Sequence, residues 1–243
     1  MALRDADAER VRSLSLFKDV GNGPLSVLLK AASIRQFPTR CRLFIEGEQA
    51  TTLYIPIEGA VELFNENHVR RSTVALIRSP RPFPLTSLAV DRNLLSARTL
   101  ERSELVLLPL DVVHELIHAD AAFARAMLND MACYLCGIVE HFKNHRLRPG
   151  IERLAEWMMR SDQDAGGTGR FVIPYDKRTL ASYLGMAPEN LSRSLVSLAS
   201  VGVSVQGRSV SLNDRAALAA LARIESVASP ETCASLAPSS EPA

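Results

Sequence analysis

The sequence predicts an α+β protein in which an antiparallel β-barrel or roll precedes a long helix and a small helical domain with a β-hairpin. Three patterns predict this fold class. Residues 37–109 alternate with a period close to two, residues 121–146 carry an apolar heptad repeat, and residues 176–212 hold two short helical patterns followed by a hairpin. Strands that come before helices along a chain are typical of α+β proteins or of separate domains.

The chain is long enough for two domains of modest size. Its 243 residues are 47% hydrophobic and 23% charged, which suits globular domains with their own cores. We expect N-terminal helices and the roll in residues 1–120, a dimerisation helix in 121–146 and a second domain in 147–225. Residues 226–243 are rich in Ser, Pro and Ala and are expected to be disordered.

Neither the composition nor the cysteine count points to a membrane or an oxidising compartment. No apolar run follows a basic start, and no stretch approaches the roughly 18 apolar residues that span a bilayer. Four cysteines, at 41, 133, 136 and 233, do not make a disulfide framework in a chain of this length. We therefore expect a cytoplasmic protein without a membrane partner.

Short amphipathic helices are predicted before the strands. Apolar residues recur at helical spacing in two sets: Val11, Leu14 and Phe17, then Leu25, Leu28, Leu29 and Ile34. The β-rich runs begin at Arg42, Thr52, Ala60, Ser72 and Glu104, and Gly47 and Gly59 mark turns between them. So many short strands favour an antiparallel barrel or roll.

Residues 111–146 are predicted to be helical, with a break near Asp120. The second part carries an apolar seam spaced four, three, four, three and four residues apart: Ala124, Leu128, Met131, Leu135, Ile138 and Phe142. This is the a/d pattern of a coiled coil, so a homodimer through this helix is the simplest prediction. Phe123, Met127 and Tyr134 lie on other faces and are predicted to pack onto the protein's own roll.

A hinge, a helix and a short strand are predicted after the long helix. The hinge is Leu147 to Gly150, where Pro and Gly end one helix and redirect the chain. A helix is expected over 151–159, a polar loop over 162–169 and a strand at 171–174, and 214–224 suits a final helix.

Two helical patterns meet at Gly185 and predict a helix-turn-helix. Asp176 is placed to cap the first helix, whose apolar stripe is Leu180, Ala181 and Leu184. Gly185 can adopt the positive φ that ends this helix, and Pro188 suits the first turn of the next.

The second helix has one buried and one polar face. Its buried stripe is Leu191, Leu195 and Leu198, and its polar face carries Glu189, Asn190, Ser192 and Arg193 near the N-terminus. A helix of this kind places its N-terminal side chains in the DNA major groove.

A hairpin and a local basic excess support DNA as the partner. Residues 203–212 alternate about Gln206 and Gly207, which predicts the wing of a winged helix with Arg208 at its tip, in reach of phosphate. The stretch 167–212 has five basic residues against two acidic ones, although the whole chain carries a net charge of only +1.

The order helix, glycine turn and then Glu189-x-x-Ser192-Arg193 resembles the recognition motif of the Crp/Fnr family of bacterial transcription regulators, in its Fnr-like branch. The resemblance implies that these three residues read base edges in an inverted repeat with TTGAT-like half-sites, and that RNA polymerase is a further partner. It also implies a set of backbone-contacting or supporting residues: Lys177, Arg178, Thr179, Pro188, Asn190 and Arg208. Ala187 departs from the family, where Ser or Thr would cap the second helix and touch a phosphate.

The strand region is similar to the family's cyclic-nucleotide-binding-type β-roll, so the resemblance covers residues 14–222. It rests on the following order: Phe44, Gly47, Glu48, Leu53, Tyr54, Gly59, Val61, Leu63. Cyclic-nucleotide binders have Gly-Glu-Leu and then Arg-Ser or Arg-Thr, but residues 83–88 lack the glutamate and Leu95 replaces the arginine. Arg92 or Arg98 could substitute, or could be solvated or paired with the nearby Asp91 or Glu101. Cyclic AMP is therefore not expected to be the effector.

Cysteines and histidines supply the other effector candidates. Cys133, Cys136 and Cys41 could form a thiol cluster for a metal, haem or an oxidant, or they could simply be core residues. An Fnr-type cluster needs four suitably placed thiolates and is not expected. The pairs His114/His118 and His141/His145 have the i, i+4 spacing of metal or haem ligands but also suit solvated helix faces. Haem is the specific effector that the resemblance suggests.

Two other classes of protein remain as alternatives from the sequence. One is a regulatory subunit that binds a small molecule but not DNA, and the other is a metalloenzyme that uses a histidine pair. The chain has no phosphate-cradling glycine loop, nucleophile elbow or zinc-protease motif, so no enzyme activity is predicted.

Overall fold

The computed structural model describes residues 3–66 and 71–222. The chain divides into two compact units, one up to Ala132 and one from Cys133. The division falls within the long helix, so this helix contributes residues to both units. The predicted tail at 226–243 lies outside the described residues.

Two antiparallel sheets form the centre of the first unit. One has the strand order β1 (Ser33–Phe37), β7 (Ser103–Pro109), β3 (Thr52–Glu58). The other has the order β2 (Arg42–Phe44), β6 (Ser96–Thr99), β4 (Ala60–Glu66), β5 (Arg71–Arg78). Apolar side chains of β3 and β4 are fully buried, among them Leu53, Ile55 and Val61. This architecture confirms the predicted antiparallel roll.

Three helices and a short 3₁₀ turn accompany the roll. They are α1 (Asp5–Arg12), the turn Ser15–Phe17, α2 (Asn22–Ala31) and α3 (Leu110–Ala119). The helical pattern continued wrongly to Ile34, which lies in β1 opposite Val106. Pairing with β7 decides this residue's conformation, and a local apolar pattern does not contain a partner that is distant in sequence.

The long helix α4 (Ala121–Leu147) begins after a break at Asp120, as predicted. Asp120 Oδ1 accepts a hydrogen bond from the backbone N–H of Phe123 at 2.8 Å and so starts the helix. Phe123 is buried and stacks on Phe17 with 6.0 Å between ring centroids. Tyr134, predicted on the same packing surface, belongs instead to the second unit, where burial and then the neighbouring Tyr183 raise its pKa to about 12.

Within the described residues, α4 is the one helix long and apolar enough to cross a membrane, judged by length and composition alone. The sequence predicted no such segment. Five of the seven exposed large apolar side chains of α4 belong to the predicted seam.

The second unit holds a three-stranded sheet and four helices after α4. The sheet order is β8 (Arg170–Val172), β10 (Ser209–Leu212), β9 (Val203–Gln206). The helices are α5 (Gly150–Asp164), α6 (Lys177–Tyr183), α7 (Pro188–Ser197) and α8 (Arg215–Ala222). Leu154 and Met158 of α5 are fully buried, and α5 extends beyond its predicted end at 159. Buried Asp162 accepts a hydrogen bond from Gly169 N at 2.7 Å and thereby closes the polar loop.

Candidate nucleic-acid interface

Helix α6 begins at the predicted cap. Asp176 has extended backbone angles, and its Oδ1 accepts a hydrogen bond from Thr179 N at 2.8 Å. Leu180 and Ala181 then turn into the core and are fully buried. Lys177 and Arg178 are exposed at the helix start, where cations can meet phosphates.

Thr179 differs from its neighbours because its residue surface is only 4% exposed. Its backbone N–H is used by the cap, and its side chain lies in the core side of α6. The structure therefore gives Thr179 a supporting place and not a phosphate contact. The sequence predicted the same role for Lys177, Arg178 and Thr179. The local pattern does not tell which of these side chains turns into the core.

A glycine and an arginine fix the turn between α6 and α7. Gly185 has φ +61°, as predicted, and a Cβ on it would collide with the imidazole of His145. Arg153 of α5 donates from Nε to the carbonyl oxygen of Leu184 at 2.9 Å, and from Nη2 to that of Gly185 at 3.3 Å. These bonds satisfy carbonyl groups that the end of α6 leaves open. The role of Arg153 was not predicted, because no local pattern in the sequence links residue 153 to residue 185.

Helix α7 presents the predicted polar face. Leu191, Leu195 and Leu198 are buried beneath it. The exposed residues include all four that the sequence analysis placed there: Glu189, Asn190, Ser192, Arg193. Pro188 occupies the first turn, and Ala187 stands at the N-cap without a side-chain hydrogen bond.

The guanidinium of Arg193 is held by its own helix. Arg193 Nη2 donates to Oδ1 of Asn190, three residues earlier. This bond uses one of the five N–H groups and limits the rotamers of a long side chain. Asn190 therefore has a positioning contact with Arg193, while both residues stay exposed.

The hairpin β9–β10 forms the predicted wing. Val203 pairs with Leu212 and Gln206 with Ser209, so the turn lies at Gly207 and Arg208. Arg208 Nε donates to the carbonyl oxygen of Ile173 at 2.6 Å. Arg208 is exposed, so its two terminal guanidinium nitrogens can still donate hydrogen bonds to a phosphate.

A histidine cluster joins the end of α4 to α6 within the second unit. The rings of His141 and His145 lie 4.3 Å apart between centroids, and His141 stacks on Tyr183 at 4.9 Å. His145 Nε2 donates to the carbonyl oxygen of Tyr183 at 3.3 Å. Burial, followed by His145, Arg153 and Arg160, lowers the pKa of His141 to about 4. Burial and Arg153 also lower the pKa of His145.

A carboxylate network lies beside this cluster. Glu156 accepts hydrogen bonds from Asn144 Nδ2 at 2.8 Å, Arg148 Nη1 at 3.1 Å and Arg160 Nη2 at 2.9 Å. Because its oxygens are engaged, Glu156 does not join the histidines as a ligand. The pair His141/His145 packs on Tyr183 of α6, and its neighbours Arg153 and Arg160 disfavour a bound cation.

The other effector candidates are not assembled into a site. Across residues 3–66 and 71–222, no group of three His, Cys, Asp or Glu residues is arranged to hold a metal. Cys41 lies in the first unit and Cys133 and Cys136 lie in the second, and none of these three is in a disulfide. His114 and His118, on α3, do not form such a group either.

Arg98 has a partner already. Its Nε donates to Oε2 of Glu62 at 2.5 Å, and Thr73 donates to the other oxygen at 2.6 Å. Glu62 is only 1% exposed, so removal of Arg98 would leave a buried carboxylate without its counter-charge. The strand register pairs Glu62 with Arg98 and Leu63 with Ala97. Alternation therefore puts the ion pair on the face opposite Leu63 and Ala97.

The seam of α4 is exposed within this chain. Leu135 and Phe142 are each 60% exposed, Leu128, Met131 and Ile138 are exposed as well, and Ala124 at the start of the seam is half-buried. This row of large apolar side chains covers about four helical turns, which is far more than a scattered apolar residue on a monomer surface.

Comparisons with known proteins agree with this geometry. A cyclic nucleotide-binding domain model matches residues 34–120, and a Crp-like helix-turn-helix domain model matches residues 152–221. The two models together span more than half of the chain. A search of curated proteins gave no match.

Solved structures show the same fold. FixK2 from Bradyrhizobium japonicum is 22% identical with a TM-score of 0.73, and the match covers 82% of this chain and 99% of that one. The c-di-GMP responsive global regulator CLP from Xanthomonas campestris is 20% identical with a TM-score of 0.67, over 79% and 99%. A mutant of CooA from Carboxydothermus hydrogenoformans is 16% identical with a TM-score of 0.68, over 81% and 90%.

These findings exclude the two alternative classes, a metalloenzyme and a subunit that does not bind DNA. A nucleotide-binding-type roll, a long helix and a Crp-like helix-turn-helix occur here in one chain and in that order. The chain belongs to the Crp/Fnr family of DNA-binding transcription regulators, which are not enzymes.

Proposed function

We propose that the protein is a cytoplasmic homodimer that binds an inverted repeat with TTGAT-like half-sites and regulates transcription through contact with RNA polymerase. We propose that its activity is controlled by an effector other than cyclic AMP. The observation that carries the proposal is the exposed polar face of α7, on which Glu189, Ser192 and Arg193 project from a helix anchored by three buried leucines.

The chemistry of the three side chains suits base reading. Arg193 has a planar fork that can donate twice to guanine O6 and N7, and Glu189 can accept from the amino group of cytosine. Ser192 is short and can act as donor or acceptor to either kind of edge. Lys177, Arg178 and the free part of Arg208 supply positive charge around this face, for the backbone phosphates.

The dimer proposal rests on the exposed seam of α4. Apolar residues at a and d positions are stable when a second helix covers them, and a second copy brings the same seam by symmetry. A lipid bilayer explains the pattern less well, because the helix also carries exposed Arg125, Lys143 and Arg146. In a dimer the two recognition helices would need a separation of about 34 Å, one turn of DNA.

Two features of the roll support an effector other than cyclic AMP. Residues Leu85–Leu88 form a 3₁₀ turn whose buried side chains include Leu85 and Ser87, so apolar and hydroxyl groups stand where a ribose-binding glutamate is expected. Leu95 takes the place of the phosphate-binding arginine, and Arg98 is committed to Glu62. A cyclic nucleotide would therefore lack both of its charged anchors.

Binding and assembly measurements on the purified full chain test the proposal. The protein should recover an inverted repeat from a randomised duplex library, and the affinity should fall steeply with salt, as counterion release requires. Sedimentation should give the mass of two chains in the same buffer. Binding that shows no sequence preference at any salt concentration would contradict the assignment of α7 to base reading. Added cyclic AMP should leave the affinity unchanged.

A further inference from the structure

Val196 is the exposed apolar residue on the DNA-facing side of α7. It is 77% exposed, whereas the neighbouring Leu195 is buried. It follows Glu189 by seven residues and Arg193 by three, so all three lie on one face of the helix. Single exposed apolar residues are common on protein surfaces, and this alignment with the base-reading side chains is what distinguishes Val196.

Folding does not account for a valine at this position. The buried stripe of α7 already consists of Leu191, Leu195 and Leu198, and Val196 adds nothing to it. A β-branched residue loses side-chain entropy in a helix and is a poorer helix former than Lys, Gln or Arg. A solvated position at the end of a recognition helix would accept any of those three.

The surroundings of Val196 divide into a charged and an apolar part. Val196 lines an open groove with Ser192 of the same helix, Lys177 of α6, and Ser204 and Val205 of the wing. Lys177 can meet a phosphate at the edge of this groove. Val196 cannot, because a methyl group offers a phosphate neither charge nor hydrogen bonds.

We infer that Val196 contacts the C5-methyl group of a thymine within one or two base pairs of the guanine read by Arg193, and so reads one thymine of the half-site. The thymine methyl is the apolar group that the major groove displays. Three residues of helix rise by about 4.5 Å, which is roughly one base-pair step, so Val196 reaches a neighbouring pair. This inference rests on the proposed function, because it requires α7 to lie in the major groove.

Deoxyuridine substitution tests the contact, because deoxyuridine lacks only the C5-methyl group of thymidine. The duplex is the inverted repeat that the wild-type protein selects from a randomised library. Each thymine of both half-sites is replaced in turn, and affinity is measured by fluorescence anisotropy. At one thymine the replacement should weaken the wild-type protein about fourfold per half-site, the expected effect of one buried methyl group.

Val196→Ser should lose this sensitivity. Its affinity for the thymine and deoxyuridine duplexes should differ less than twofold, while its preference for the guanine pair is kept. Val172→Ser is the matched control, since it makes the same change at an exposed valine that lies on β8. It should show the wild-type penalty at the same thymine. Thermal unfolding of each variant should be unchanged, because both side chains are exposed.

Two different results would overturn the inference. If the protein selects an inverted repeat but every deoxyuridine penalty is the same for wild type and Val196→Ser, the thymine contact is wrong and the proposed function stands. If the wild-type protein selects no inverted repeat at all, both the thymine contact and the proposed function are wrong. Selection with Val196→Ser gives a second readout: one thymine position should become degenerate while the guanine position stays fixed.

Discussion

Arg193 and Lys177 are both exposed cations, but they stand at different places relative to the proposed groove. Arg193 lies one turn into α7 and is oriented by Asn190, whereas Lys177 starts the helix that would cross the backbone. Arg193→Ala should cost about 1 to 3 kcal/mol per half-site and should lose discrimination at the guanine pair. Lys177→Ala should weaken all sequences alike and reduce the salt slope by about one. Binding-site selection and salt titration measure both effects.

The contrast between these two variants can fail in a defined way. If Arg193→Ala kept the wild-type base preferences and its affinity fell uniformly, Arg193 would be a phosphate contact. Asn190→Ala offers a finer comparison. This variant should weaken the guanine contact less than Arg193→Ala does, because it removes the hydrogen bond that orients Arg193 but keeps the guanidinium.

Ala187 leaves the start of α7 without a side-chain cap. Its backbone angles, φ −68° and ψ 147°, are those of an N-cap residue, so a serine would fit without a change of conformation. Ala187→Ser should raise the free energy of unfolding of the second unit by about 0.5 to 1 kcal/mol, measured by urea denaturation. If the hydroxyl also meets a phosphate, DNA affinity should rise with an unchanged salt slope, because no charge is added. Ala187→Val should bring neither gain.

Residue-level prediction succeeded where the cause is local. The cap at Asp176 and the positive φ of Gly185 follow from neighbours along the chain, and the structure confirms both. It failed where the partner is distant in sequence. Arg153 donates a hydrogen bond to the carbonyl oxygen of Leu184, 31 residues away, and Arg98 of β6 pairs with Glu62 of the neighbouring strand β4. Neither contact leaves a trace in residue spacing.

At the scale of elements, the last turns of α4 are joined to α6 through stacked aromatic rings. His141 contacts Tyr183 and His145, and the charged groups facing it are Arg153 and Arg160, with Glu156 held by its own arginine partners. A proton on His141 would add a positive charge beside two arginines. Burial, followed by His145 and these two arginines, therefore lowers the pKa of His141 and favours a neutral imidazole.

This cluster predicts a loss of stability in mild acid. The pKa of His141 is lowered to about 4 in the folded chain, against about 6.5 in the unfolded chain. Below pH 6.5 His141 is protonated in the unfolded chain but stays neutral in the folded chain. The free energy of unfolding therefore falls as the pH drops toward 4. With a discount for partial exposure, we expect His141 to contribute about 1 kcal/mol to this loss between pH 7 and pH 5, or about 2 to 4 °C in Tm.

Thermal unfolding at the two pH values checks this prediction. His141→Asn cannot take up the proton and should lose about 2 to 4 °C less than wild type on acidification. His118→Asn, at an exposed position of α3, should behave as wild type does. Equal losses in all three proteins would show that His141 is not the group responsible.

The predicted elements were those with a strong period of their own. Helices α4, α6 and α7 and the hairpin β9–β10 lie within a few residues of their predicted bounds. Strand β6 was missed because its pairing with β2 and β4, which are distant in sequence, decides its conformation. Strand β1 was assigned in part to a helix for the same reason, since β7 is its partner.

At the scale of the whole molecule, the proposed regulator works only as a pair. One α7 reads one half-site, and a second copy doubles the contacts while fixing their spacing. An effector can then act through small changes in the arrangement of two rigid helices. The turn at residues 147–150, which the sequence predicted as a hinge, lies inside the second unit, where the end of α4 packs on α6.

The exposed seam of α4 predicts how this assembly can be broken. Leu135 lies at the centre of the seam, and Leu135→Lys would bury a charge at an a position of the pair. We expect this variant to sediment as a monomer at low micromolar concentration and to lose binding to the inverted repeat. Its half-site contacts should remain intact, because α7 is unchanged.

Asn129→Lys is the matched control, since it places the same charge on an exposed position of the same helix but outside the seam. It should remain dimeric and should bind the inverted repeat with wild-type affinity. Circular dichroism should show equal helix content in both variants, so that unfolding does not imitate dissociation. A Leu135→Lys protein that stays fully dimeric would mean that another surface holds the two copies together. The seam of α4 would then need a different partner.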